Sequence, residues 1–234
     1  MGVYGIHPYV LLNFENSKRD VSTIAHELGH AIHSYYSDNN QSIINSNYTI
    51  MVAEVASTVN EILLSEYQIE NENNKEKKKE LLYELLEMIR ATFFRQSMFA
   101  EFEKVIHEKV GKGISLSAED LNKIYYDLNK KYFGDSIVID EEIQYEWARI
   151  PHFYSNFYVY KYATGFSAAS ALSKQILEEG DSAVDRYKEF LKSGGSEFPL
   201  DQLRKAGVDM EKKEAVDEAL HVFKDLVKQL EKEL

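Results

Sequence analysis

The chain has 234 residues and a formal net charge of -12, with 44% hydrophobic and 28% charged residues. Such a chain can bury a sizeable core, and its negative charge disfavours nucleic acid or an anionic membrane as a partner. Because it contains no cysteine, disulfides and thiolate metal sites are excluded, and any metal must bind to histidine and carboxylate ligands. No apolar run approaches a membrane span and no signal peptide is recognisable, so we expect a cytoplasmic location.

The chain opens with an apolar, aromatic stretch, of which residues 9–14 are predicted to form a short strand. Asp20 is then predicted to cap a first helix over residues 20–36. Apolar side chains recur along this helix at helical spacing and predict a face that packs in the core. They are Val21, Ile24, Leu28, Ile32 and Tyr35. A stripe of histidines beside them indicates that the other side of the helix lines a cleft.

The first helix contains the motif His26-Glu27-Leu28-Gly29-His30, the His-Glu-x-x-His arrangement typical of zinc peptidases. Residues four apart lie on one helix face about one turn apart, so His26 and His30 can bind one Zn²⁺ together. Glu27 lies beside them and could remove a proton from an activated water as a general base.

A catalytic zinc site needs three protein ligands and an open position. His33 follows His26 by about 10.5 Å along the axis at about 1.5 Å per residue, so it cannot complete a site with both histidines. It could instead pair with His30 or support the ligands from outside. A carboxylate from the next helix is the alternative, and Glu54 is the candidate. Glu61, two turns further on, could accept the free N–H of a ligand histidine.

The rest of the chain is predicted to be mainly helical. The second helix is predicted over residues 48–69, with apolar side chains on its core face: Val52, Val55, Val59, Ile62 and Leu63. Further helices are predicted over residues 81–110, 117–132, 166–179, 182–192, 200–205 and 213–234. Ser117 and Asp120 form a capping-box pattern. No repeat or linker divides the chain, so we predict one mainly α catalytic domain over residues 1–234.

Residues 150–162 are the densest aromatic segment of the chain. Tyrosine O–H and histidine N–H groups can donate to the oxyanion of a tetrahedral intermediate, and this segment supplies both. A cluster of aromatic residues at helical spacing is more often part of a core. Composition alone does not separate these two interpretations.

A second metal chemistry is also compatible with the spacing. Glu27 with His30, and Glu218 with His221, both have the Glu-x-x-His spacing of di-iron carboxylate bundles. The apolar residues of the last predicted helix turn Glu218 and His221 toward solvent, which disfavours this alternative. They are Leu220, Phe223, Val227 and Leu230.

Several segments, in one order, resemble the oligoendopeptidase F branch (M3B) of the M3 zinc peptidases, which are similar to thimet oligopeptidase. The segments are residues 26–30, 53–55, 94–103, 158–165, 194–200 and 206–210. The resemblance implies a zincin-like helical catalytic domain that hydrolyses short peptides. It implies Zn²⁺ bound by His26, His30 and Glu54, with Glu27 as general base.

The resemblance also implies that the C-terminal histidine and tyrosine group faces the substrate. Tyr160 is then the expected oxyanion donor, with His152 and Tyr154 as helpers. The spacing from His152 to Tyr160 is tighter than in the thimet branch, so Tyr154 and Tyr158 remain alternatives for the donor.

Members of the resembled family are much longer than this chain and carry a large helical N-terminal part. That part forms the opposite wall of a deep cleft that admits only short, unfolded peptides. We therefore expect this chain to correspond to the C-terminal catalytic portion, with the metal site present and much of the substrate wall missing. The alternative is a zinc-binding fragment with little activity alone, which self-associates or requires the missing N-terminal part.

Overall fold

The computed structural model describes residues 2–234, without the side chains of residues 18 and 19. This part of the chain is mainly helical, which confirms the predicted fold class. In chain order the α-helices are α1 (Lys18–Asn40), α2 (Ile50–Asn71), α3 (Lys75–Ile89), α4 (Arg95–Gly111), α5 (Ala118–Phe133), α6 (Tyr160–Glu179), α7 (Asp181–Lys192), α8 (Pro199–Lys205) and α9 (Glu214–Glu233). No helix within residues 2–234 combines the length and apolar character needed to cross a membrane.

The described chain divides into two compact units. The first unit comprises residues 2–89 and 164–234, and the second comprises residues 90–163. Helix α6 begins in the second unit and continues in the first from Thr164 onward. The expectation of one catalytic domain over residues 1–234 stays a prediction.

In the first unit, α1 and α2 run antiparallel and pack closely. The side of α1 that packs carries Gly29, His33 and Ser37, all buried. The prediction that the apolar face of α1 packs in the core is wrong, because Leu28 and Ile32 are 46% and 42% exposed. The physical reason is the short distance to α2 at Gly29, where the contacting side of α1 has no room for a side chain.

The core face predicted for α2 is confirmed. Val52, Val55, Val59 and Ile62 are at most 5% exposed, and Leu63 is half-buried. Burying four branched apolar side chains on one helix face is a main source of stability for this unit.

The loop between α1 and α2 is anchored on the turn that follows α7. The Gly195 N–H donates to the Asn45 carbonyl at 2.7 Å, and the Gln41 amide donates to the Lys192 carbonyl at 2.8 Å. A Cβ at Gly195 would lie 2.3 Å from the Asn47 carbonyl oxygen, so only glycine fits this contact. The anchored loop directs α2 back along α1.

The second unit is built around α4 and α5, whose buried side chains form its core: Met98, Phe99, Phe102, Tyr125 and Leu128. A half-buried ionic group lies beside them, in which Glu146 accepts hydrogen bonds from Arg95 and from Tyr125, each at 2.6 Å. The only tryptophan of the chain, Trp147, donates to Asn122 within this unit.

The long helix predicted over residues 81–110 is interrupted. Helix α3 begins earlier, at Lys75, and a π-helical turn at Arg90–Phe94 separates it from α4. A π turn adds one residue to a turn of the helix. The spacing of the apolar residues in the sequence does not indicate this addition. The break coincides with the boundary between the two units.

Two expectations near the N-terminus are corrected. Residues 9–14 form no strand, and no strand occurs within residues 2–234, so this apolar run has no partner strand to pair with. The N-cap of α1 is Ser17 rather than Asp20. Asp20 is the third helical residue, and its carboxylate accepts from the Ser17 N–H at 2.6 Å. The capping box of Ser117 and Asp120 is confirmed at the start of α5.

Candidate metal centre

Side chains from α1 and α2 converge in the first unit. His26, His30 and Glu54 each offer a ligand atom, and these atoms lie within 4.8 Å of one another. The two Nε2 atoms of His26 and His30 are 3.1 Å apart, and Glu54 Oε2 is 3.9 Å from His26 Nε2. Within the described residues, no other group of three histidine or acidic side chains is arranged in this way.

These distances fit a zinc ion. Ligand atoms at about 2.0–2.1 Å in a tetrahedral site lie about 3.3 Å from each other, which is close to the 3.1 Å between the histidines and the 3.9 Å from His26 to Glu54. Side chains of His26 and Glu54 are 28% and 24% exposed, so solvent reaches the group. The donor set of two imidazoles and one carboxylate is one that catalytic zinc sites use.

Glu61 orients His26 from the far side of the ring. Its Oε2 accepts from His26 Nδ1 at 2.9 Å, and its Oε1 accepts from the Ser22 hydroxyl at 3.0 Å. With the proton on Nδ1, the Nε2 lone pair of His26 is directed at Glu54 and His30. Ser22 was not among the residues singled out from the sequence, although it precedes His26 by one helical turn and shares its face.

The electrostatics of the group favour a cation. Burial works to lower the pKa of His26, but the hydrogen bond to Glu61 and the nearby carboxylates raise it overall. Burial also raises the pKa of Glu54, assisted by the charges of Glu61 and Glu27 against the opposing effect of His26. The pKa of His30 is lowered, chiefly by burial, which keeps its imidazole neutral and able to bind metal.

His33 does not join the group. Its ring is 1% exposed and stacks on Tyr48 with the ring centroids 3.6 Å apart. Burial lowers the pKa of His33 to about 3, and its Nδ1 has no hydrogen-bond partner among the described residues. The expectation that it pairs with His30 or supports the ligands is therefore wrong, because it is a neutral core residue between α1, Tyr48 and Phe190.

The predicted oxyanion residues lie in the second unit. His152 and Tyr154 are on a short 3-10 turn, Pro151–Tyr154, and Tyr160 begins α6. Tyr154 is 82% exposed and Tyr160 is 44% exposed.

A small aromatic group forms around His152. Its ring stacks on Tyr158 with centroids 5.5 Å apart, and the Tyr162 hydroxyl lies 3.4 Å from its Nε2. The Tyr158 and Tyr162 hydroxyls are 3.5 Å apart. Tyr162 was not singled out from the sequence, although its spacing of four from Tyr158 could have indicated it.

A buried carboxylate shapes the chain just before Tyr158. Glu103 is 3% exposed and accepts a hydrogen bond from the Phe157 N–H. Phe157 has φ 53°, a left-handed conformation that costs a bulky residue free energy and persists where the surroundings impose it. The turn into α6 is therefore held by the core of its own unit.

The second Glu-x-x-His pair is not a metal site. Glu218 accepts from the Lys174 ammonium at 2.8 Å, and His221 is exposed on α9. This arrangement removes the structural basis of the di-iron alternative.

Two histidines from a His-Glu-x-x-His helix and a carboxylate from the next helix form a candidate metal site of the metallopeptidase class. The model of peptidase family M3 matches residues 3–222 of this chain. The chain is 53% identical over 230 residues to oligopeptidase PepF of Bacillus subtilis, covering 98% of this chain and 34% of that protein. The chain belongs to peptidase family M3, which confirms the resemblance found in the sequence.

Other relatives agree. An oligoendopeptidase F homolog of Borreliella burgdorferi is 46% identical over 232 residues, covering 99% of this chain and 39% of that protein. The crystal structure of oligoendopeptidase-F from Enterococcus faecium superimposes with a TM-score of 0.83 at 41% identity, covering 92% of this chain and 39% of that one. The chain thus spans somewhat more than a third of the length of these relatives.

Proposed function

We propose that this chain carries the catalytic site of a zinc-dependent endopeptidase that hydrolyses short oligopeptides. The observation that carries the proposal is the convergence of His26, His30 and Glu54, with Glu61 on the second nitrogen of His26. Relatives named oligopeptidase and oligoendopeptidase support the substrate class.

Each residue of the group has one task. His26, His30 and Glu54 would hold the ion, and Glu61 would orient His26. Bound zinc supplies Lewis acidity that polarises the scissile carbonyl and acidifies water.

Glu27 acts on protons. It removes one proton from the attacking water as the new carbon–oxygen bond forms at the carbonyl carbon. It then delivers that proton to the amide nitrogen as the carbon–nitrogen bond breaks, so its carboxylate is regenerated at the end of the cycle. Its position on α1 next to His26, with its charge acting on the pKa values of both histidines, supports this assignment.

We propose that the Tyr160 hydroxyl donates to the developing negative charge, with His152 and Tyr154 as helpers and with Tyr154 or Tyr158 as the alternative donor. This assignment rests on the resemblance to oligoendopeptidase F. The cytoplasmic location stays a prediction, which fractionation of the producing cell would check.

Glu27→Gln tests the mechanism. The amide keeps the shape of the side chain but cannot take a proton, so we expect cleavage of a quenched oligopeptide to fall by about 10²–10⁴-fold. Zinc content should stay at one ion per chain. Glu70→Gln, at an exposed carboxylate of α2, is the matched control and should keep the parent's rate.

Two outcomes would overturn the proposal. Cleavage by Glu27→Gln at the parent's rate would exclude Glu27 as the base, and a parent chain that binds no zinc would exclude the metal site. Stoichiometric zinc without cleavage would instead favour the second candidate, a zinc-binding fragment that needs a further part or self-associates. That candidate is supported by the share of the relatives' length that the chain spans.

A further inference from the structure

Gly29 lies where the backbones of α1 and α2 touch. A Cβ at this position would lie 2.6 Å from Ser57 Cα and 2.8 Å from the Ala56 carbonyl oxygen. Real Cβ atoms essentially never come within 3.0 Å of another heavy atom, and here both neighbours are backbone. No rotation of a side chain can make room for an added methyl group, so α2 would have to move away.

The conformation of Gly29 does not explain its presence. It lies inside a 23-residue helix and is not among the positive-φ glycines, so any residue could adopt its backbone angles. A glycine inside a helix costs about 1 kcal/mol relative to alanine. Position 29 requires glycine because of the close contact with α2.

The metal ligands flank this contact on both helices. His30 follows Gly29 directly, and Glu54 precedes Ser57 by about one turn. The Ser57 hydroxyl donates to the Glu54 carbonyl at 3.0 Å, and the Asn60 amide donates to the Ala25 carbonyl at 3.3 Å. Any change in helix spacing at Gly29 therefore changes the distance from Glu54 to the histidines.

A second helical glycine offers a comparison within the same unit. A Cβ at Gly165 on α6 would lie 3.7 Å from Glu54 Cβ and 3.8 Å from the Met51 carbonyl oxygen, which is ordinary van der Waals contact. An alanine fits at Gly165 and does not fit at Gly29, although both glycines lie close to the helix that carries Glu54.

We propose that Gly29 is a positioning residue for the metal site. Its missing side chain sets the spacing of α1 and α2 that brings Glu54 within ligand distance of His26 and His30. Relieving a contact of 2.6 Å to an ordinary one would move the helices by about 1 Å, whereas ligand distances tolerate about 0.2 Å. The inference rests on the proposed zinc site and adds the residue that sets its dimensions.

The test compares Gly29→Ala with two other glycine substitutions. Zinc affinity is measured by competition with a chelator, and Co²⁺ replaces zinc as a spectroscopic probe of ligand number and geometry. We expect Gly29→Ala to bind zinc at least about ten-fold more weakly, as removal of a residue that orients a ligand does, with a changed Co²⁺ absorption spectrum. Gly165→Ala and Gly111→Ala, where a Cβ meets ordinary contact or open space, should match the parent in both.

The Co²⁺ spectrum separates positioning from general stability, because a loss of stability alone leaves the spectrum of the folded fraction unchanged. The parent spectrum in Gly29→Ala would overturn the inference, whether or not the zinc affinity falls. A parent chain that binds neither metal would refute the proposed function itself and leave Gly29 no ligand to position.

Should Gly29→Ala not fold, Asn60→Ala decides the question. It removes the hydrogen bond to the Ala25 carbonyl at the same helix contact without adding an atom. We expect a several-fold loss of zinc affinity in a folded chain. Unchanged affinity in Asn60→Ala would then overturn the inference.

Discussion

The candidate metal-binding group of the first unit and the aromatic segment of the second unit are built in different ways. His26, His30, Glu54 and Glu61 stand on two long helices, and hydrogen bonds link Glu61 to both His26 and Ser22. Residues 150–159 instead contain a short 3-10 turn and a residue in the left-handed conformation, Phe157, before α6 begins. The helical repeat makes the positions of side chains on a helix predictable from their spacing. The path of an irregular backbone instead depends on the core residues on which it packs.

The two regions also differ in exposure. The candidate metal-binding group is half-buried, and burial raises the pKa of Glu54, lowers that of His30 and opposes the increase at His26. Tyr154 is 82% exposed and His152 is exposed as well. A half-buried group has its geometry set before a ligand arrives, and we therefore expect substitutions there to act on metal affinity. Substitutions in the aromatic segment should act on turnover.

The largest effect is expected from Glu54→Ala. Loss of the proposed third ligand leaves two histidines, so zinc affinity should fall by more than about 100-fold, beyond the loss caused by removing an outer residue. Chelator competition measures it, and fluorescence of Trp147 in the second unit should remain that of the folded parent. Retention of tight zinc binding would exclude Glu54 as a ligand.

Tyr160→Phe should lower turnover and leave zinc affinity unchanged. Removing a donor to the oxyanion lowers kcat by about 10²–10³-fold, while zinc affinity stays at the parent's value because no ligand is touched. Steady-state kinetics on a quenched peptide measures kcat and KM separately. If Tyr158→Phe or Tyr154→Phe carries the loss instead, the donor is reassigned to that residue.

A smaller loss is expected from Glu61→Ala. His26 would lose the acceptor that fixes its Nδ1 proton, and zinc affinity should fall by about 10–100-fold. Ser22→Ala removes only the hydroxyl that donates to Glu61, so its effect should be weaker than that of Glu61→Ala. The same affinity in both variants and the parent would show that the hydrogen bond has no role in metal binding.

The last prediction concerns stability rather than the site. Burial lowers the pKa of His33 to about 3 in the folded chain, while the unfolded chain has the ordinary value near 6.5. The unfolded state therefore binds more protons between these values. The stability contributed by neutral His33 is fully present above pH 6.5 and is lost as the pH falls toward 3.

His33→Phe should reduce this acid sensitivity. The slope of the free energy of unfolding against pH should decrease by up to about 1.4 kcal/mol per pH unit between pH 6 and 4. Urea unfolding followed by circular dichroism measures it, with His221→Phe at an exposed position of the same unit as control. An unchanged slope in His33→Phe would show that His33 does not resist protonation.

Several features could be predicted because they depend on neighbours in the chain. The core face of α2, the capping box of α5 and most helix positions follow from local spacing, and the structure confirms them. The strand at residues 9–14 was wrong because a strand is defined by its partner, which no local pattern contains. The π turn at Arg90–Phe94 was missed because the pattern of apolar side chains across it is that of one continuous helix.

The sequence by itself determined that His26, Glu27 and His30 share one helix, because a spacing of four is a local property. It also indicated that Glu54 and Glu61 belong to the following helix. Only the tertiary structure decided which side of α1 packs, since that depends on how closely α2 approaches at Gly29. The same approach buries His33 and brings Glu54 to the histidines, because helix spacing is set by contacts between residues far apart in the chain.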